Sequence, residues 1–202
     1  INDGGTVTLT SINIKDSETA TVGSAIRNNS GKVTLKGTKK LYAQVYNNSS
    51  NMFGGAIYNE GTFVAQYVQF GNTSSVEKFL NTAKRGGVIY NGSSATVSYS
   101  SFVSNVADDK GGAIYTSGVL TSTSNNFQYN TAVSGGAIYV ANNSSKVASL
   151  TVKSNNFRSN ESEENGGAIY VENAKVTVSK STFGASDDNT FGNSAVSGGA
   201  IY

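Results

Sequence analysis

The chain is 202 residues long with a formal net charge of +2, charged residues make up 14% of it, and proline, cysteine, tryptophan and histidine are all absent. This rules out a disulfide framework, the usual zinc, copper and haem ligand sets and the histidine base of a Ser-His triad, so neither a cofactor nor a metal is expected. A near-neutral surface rich in Asn, Ser, Thr and Gly is no nucleic-acid footprint, and no run of about 18 apolar residues is available to cross a membrane.

Residues 1–53 read as degenerate first coils of a repeat. Val7-Thr-Leu9 and Val33-Thr-Leu35 alternate as strands do. Gly23-Ser24-Ala25-Ile26 is a decayed first copy of Gly-Gly-Ala-Ile-Tyr, which follows at 54–58, 111–115, 135–139, 166–170 and 198–202, with Gly-Gly-Val-Ile-Tyr at 86–90. Successive copies lie 31, 32, 25, 24, 31 and 32 residues apart, and self-similarity of this period marks a solenoid. Leu41 to Asn48 fills the place of a second motif, Phe-x-x-Asn, with Val45 and Asn48 in register. That motif stands clearly at Phe102/Asn105, Phe127/Asn130 and Phe157/Asn160, and shortened at Phe70/Asn72 and Phe191/Asn193.

The insertion at 73–85 differs in kind. Val76, Phe79, Leu80 and Ala83 have helical spacing after Ser74-Ser75, which predicts a short capped helix or a binding loop. From 54 to 202 the coils are regular. Alternating stretches such as Ala95-Thr-Val97-Ser-Tyr99, Val119-Leu120, Val147 to Val152 and Val176-Thr-Val178 lie between the two motifs. Each unit therefore holds three short strands, and stacked units would sit about 4.8 Å apart as coils of a parallel β-helix.

On such a coil the isoleucines, the valines of the alternating strands and the phenylalanines point inward, the phenylalanines as one ladder. The asparagines form a second ladder through their amides, and the glycine pairs serve a sharp corner. Tyr58, Tyr90, Tyr115, Tyr139, Tyr170 and Tyr202 then line the outer face. Their rings either stack on sugars or a protein partner or only stiffen the sheet; with the faces inverted they would be core. Phe79, Lys84 and Arg85 in the insertion are further candidate contacts. Asp108-Asp109, Asp187-Asp188 and the Glu161, Glu163, Glu164 group occupy equivalent turns without pairing across adjacent coils. Solvated turn acids, or secondarily a weak Ca²⁺ site, account for them better than a polysaccharide-cleaving pair. Asn-x-Ser/Thr sequons occur at Asn28, Asn47, Asn48, Asn72, Asn91, Asn142, Asn143 and Asn160.

Recurrence of Gly-Gly-Ala-Ile and Phe-x-x-Asn in register resembles the repeats of the chlamydial polymorphic membrane proteins and of related surface adhesins. The resemblance implies a right-handed parallel β-helix at the cell surface, often an autotransporter passenger, acting in adhesion and prone to self-association. Carried over by motif, it implicates Gly111, Gly112, Ala113 and Ile114 with Phe102 and Asn105. It likewise implicates Gly135, Gly136 and Ile138 with Phe127 and Asn130, and Gly166, Gly167 and Ile169 with Phe157 and Asn160. The expectation is a single all-β segment of about seven coils, belonging to a larger surface or secreted protein. It would be non-enzymatic and would recognise a host-cell protein or glycan, with membrane attachment only through regions outside this chain. A structural spacer is the first alternative, and a polysaccharide-binding or polysaccharide-cleaving β-helix the second.

Overall fold

A computed structural model describes residues 1–73, 78–143, 147–184 and 192–202. They wind into a parallel β-solenoid of about six turns, all strand and without helix. One turn comprises Ile89–Asn91, Ser94–Ser98, Ser101–Val103 and Val106–Lys110. That is four strands, one more than expected. The first two rows lie in a 12-stranded sheet, the third in a 7-stranded sheet and the fourth in a 6-stranded sheet. The fourth strand begins just after the motif asparagine, where the sequence suggested a turn. These copies bury only small side chains, Ala107 in one, Ala132 and Ser134 in the next and Ser162 in the third, so they carry no apolar alternation to read.

Register places like on like. Ile57, Ile89, Ile114, Ile138 and Ile169 pair in sequence, as do the tyrosines that follow them. The degenerate first copy obeys the same register, Ile26 opposite Ile57 and Arg27 opposite Tyr58. The core is continuous: Ile57, Ile89, Ile114, Ile138, Ile169, Phe63, Leu120, Leu150, Val97, Val152, Phe70, Phe102, Phe127 and Phe157 are buried, and Ile26 and Phe183 pack against them half-buried. Phe70, Phe102, Phe127, Phe157 and Phe183 stack at 4.6, 4.7, 4.8 and 4.8 Å. Not every valine of the alternating strands points inward. Leu120 takes the inner place beside Val119, which is exposed, and Val147 lies outside the strand Ser149–Lys153 altogether.

Asparagine amides form a column along the axis. Nδ2 of Asn48, Asn81, Asn105, Asn130 and Asn160 donates in turn to Oδ1 of Asn81, Asn105, Asn130, Asn160 and Asn193, at 2.8–3.0 Å. The second amide proton reaches the carbonyl of an earlier turn, as from Asn130 to Phe102 at 3.0 Å. A buried amide so placed leaves no polar atom bare, which is what burial requires. The residue before the asparagine turns the corner in the left-handed region: Ser104, Tyr129 and Ser159 have φ of 56°, 57° and 49°. At the other corner Gly111 has φ 70°, and a Cβ on Gly112 would meet the carbonyl oxygen of Gly136 in the next turn. The glycine pair thus lets backbone lie directly on backbone.

Two expectations near the insertions are corrected. Asn72 and Thr73 pair antiparallel with Phe79 and Lys78, and Thr82–Arg85 is a strand of the third sheet, so the described part of 73–85 is not helical; Val76 lies outside the described residues. The ladder position expected of Asn72 belongs to Asn81, because the insertion opens between Phe70 and its asparagine. Likewise Phe183, not Phe191, stacks on Phe157, while Asn193 keeps its place. Phe191 and the Asp187-Asp188 pair lie outside the described residues.

Candidate functional site

The tyrosine column arises from strand geometry. In Ile-Tyr the isoleucine enters the core, so the tyrosine must point to the other face, and parallel register sets each ring over the last. Centroids of Tyr58, Tyr90, Tyr115, Tyr139, Tyr170 and Tyr202 follow at 5.2, 5.1, 5.5, 4.6 and 5.3 Å, with planes 8–16° apart. The outward placement matches expectation; the accessibility does not. Tyr115 is 8% exposed and Tyr139 2%, and together with Ala141 they make a second, smaller apolar cluster. From Tyr90 to Tyr170 each ring is covered on both faces by its neighbours, so this part of the ladder offers edges and not the open faces that sugar stacking needs.

Residues ending the third-sheet strands close over the column. Arg85 bonds Asp109 at 2.8 Å and lies 5.8 Å from the Tyr115 ring centre. Partial burial is the largest single influence and works against its charge, but the bond to Asp109, the attraction to that carboxylate and the neighbouring Tyr115 and Tyr90 together outweigh it and raise its pKa. Lys110 Nζ sits 4.6 Å from the Tyr139 ring centre and 3.9 Å from Glu172. The Tyr139 hydroxyl donates to Glu172 at 2.6 Å, and that of Tyr58 to Glu60 at 3.1 Å. Burial, reinforced by Glu60, pushes the Tyr58 phenol up to about 12, and burial is the first cause of raised values at Tyr115, Tyr139 and Tyr170.

The structure brings Arg85 to the tyrosines but not its sequence neighbours. Phe79 packs edge-on against Tyr46 at 5.1 Å, beside the second sheet, and Lys84 is exposed on its strand. The motif residues Phe102, Asn105, Gly111, Gly112, Ala113, Ile114, Phe127, Asn130, Gly135, Gly136, Phe157, Asn160, Gly166 and Gly167 are all buried. Of the sequon asparagines, Asn28, Asn48, Asn91 and Asn160 are buried ladder members and cannot carry a glycan in the folded coil. Among the described residues no group of three or more His, Cys, Asp or Glu side chains gathers as a metal site.

Two further polar columns were not anticipated. Asn2, Asn28, Asn59, Asn91 and Thr116 form one, at 2.7–2.9 Å; the asparagine directly after Ile-Tyr at 59 and 91 was its only signal. Ser100, Asn125, Asn155 and Ser181 form the other, at the corner between the first and second sheets.

The family model of the Chlamydia polymorphic membrane protein repeat matches residues 44–60, 99–117, 126–141 and 140–172. Comparison with curated proteins and with solved structures found no match.

Proposed function

Starting from a solenoid whose turns match the polymorphic membrane protein repeat, we propose that this chain is a non-enzymatic recognition segment of a cell-surface adhesin. It meets host proteins or glycans with its long lateral faces. Burial of the repeat motif is the observation that carries this reading: Phe102, Asn105, Ile114, Phe127 and Asn130 are 0% exposed. Motif residues of this kind build the coil, and contact falls to the outward side chains between them.

The reading predicts saturable binding of the chain to host-cell membranes. It also predicts that Ile114→Val, which alters the motif but not the surface, leaves binding per folded molecule unchanged while lowering stability by about 1 kcal/mol. Affinity that falls in the folded variant would mean that the motif itself is contacted. A second reading, a stiff spacer, draws support from the amide column running unbroken from Asn48 to Asn193. Absence of saturable binding to any host membrane would favour it.

A further inference from the structure

A second aromatic column stops partway along the molecule. Tyr67, Tyr99, Ser124 and Ser154 occupy one corner in successive turns, with φ of 54°, 50°, 56° and 55°. Tyr67 and Tyr99 stack at 5.2 Å with planes 20° apart, and Tyr42 closes the near end edge-on at 5.9 Å. Beyond Tyr99 the next two positions are serines, so its second ring face has no aromatic neighbour, and Tyr99 is 45% exposed. An open crease runs past it, from Tyr42 and Gln69 on the near side to Ser124, Asn126, Ser154 and Asn156 beyond.

We propose that this crease binds a neutral pyranose unit of a glycan, its C–H face stacked on Tyr99 in the place that the next ring of the column would take. This names the ligand class for one lateral face and rests on the recognition role above. Sugar rings pair an apolar face with a rim of hydroxyls, and the crease supplies the matching halves: an aromatic face at one end and amides and hydroxyls along the floor. The hydroxyls of Ser124 and Ser154 and the amide of Asn126 along the crease can meet the hydroxyl rim of a sugar. An aromatic side chain from a peptide would fill the stacking place but leave those polar groups unmatched. No charged side chain lines the crease, which favours an uncharged sugar; Lys180 stands at the same corner one turn past Ser154.

The test presents neutral hexose and N-acetylhexosamine oligosaccharides to the chain at millimolar concentration, read by saturation-transfer NMR. Tyr99→Ala removes the platform. Ser124→Tyr blocks the crease by adding the next ring, at a backbone conformation tyrosine already adopts at positions 67 and 99. Both variants are checked by circular dichroism and melting, and either alone suffices if the other fails to fold. At least one neutral oligosaccharide should bind, and each folded variant should weaken it about tenfold or more. No neutral binding, binding that survives a folded Ser124→Tyr variant, or binding of sialylated or sulfated sugars only, each overturns the proposal. Binding of peptides with aromatic side chains in place of sugars would overturn it too. Host-membrane binding that persists in Ser124→Tyr and after enzymatic removal of cell glycans sinks the subsite alone; wild-type failure on all membranes sinks the broader recognition role.

Discussion

A buried amide is either fully partnered or costly, and this chain commits several to one axis. Asn81 Oδ1 accepts from the backbone N–H and Nδ2 of Asn48, and its own Nδ2 donates to Val45 O and Asn105 Oδ1. Asn81→Ala removes all of these and leaves buried groups bare, so it should cost about 3 kcal/mol or more. Asn72→Ala, outside the column, should change stability by less than about 0.5 kcal/mol. Urea unfolding of the two variants decides between the assignments; equal losses would contradict the column. The choice of Asn72 from sequence shows what local spacing can and cannot resolve. Where Phe and Asn stand three apart, as at 102 and 105, their roles could be read directly. Where an insertion separates them, a nearer asparagine or phenylalanine acts as a decoy, and only the partner in the next turn identifies the true member.

Tyrosine ladders show the same division between pattern and environment. Alternation in Ile-Tyr revealed which side each ring takes. Burial of Tyr115 and Tyr139 could not be read, because Arg85, Lys110 and Glu172 arrive from strands remote in sequence. The fourth strand of each turn was hidden too, since its buried residues, such as Ala107, Ala132 and Ser162, are small and carry no signal. Burial of the phenols has a consequence in alkali. In the folded chain the Tyr58 phenol is raised to about 12, chiefly by burial, against about 10 when unfolded. Folded protein therefore retains protons that unfolded protein releases. That part of the stability is whole below about pH 10 and is lost as pH rises towards 12. Phenolate absorbance, compared with that of Tyr→Phe variants, should show Tyr58, Tyr115, Tyr139 and Tyr170 ionising above the ordinary value, together with loss of the β-sheet signal. Ionisation of these four near 10 in a chain that stays folded would refute this.

At the scale of the molecule, each turn leans only on its neighbours, and stability is a sum over turns and the contacts between them. Asn105 and Asn130 are 25 residues apart and adjacent in the column, so 106–130 is one complete turn. Its excision should bring Phe102 onto Phe157, Tyr90 onto Tyr139 and Asn105 onto Asn160, giving a shorter, cooperatively folded solenoid with an unchanged circular dichroism band shape. Deletion of 106–118 removes half a turn, breaks every register at once and should abolish folding. A half-turn deletion that folds as well as the full-turn one would show that register is not what holds the coils.

The amide column also has a sense. From Asn48 to Asn160 each Nδ2 donates one proton to the Oδ1 of the following turn, so the amide-to-amide links all run one way, while the other proton goes to a carbonyl behind it. The column from Asn2 to Thr116 runs the same way. Amides aligned in this way polarise one another, so the stack of turns has a direction: each added turn meets an amide donor already set by the turn before it.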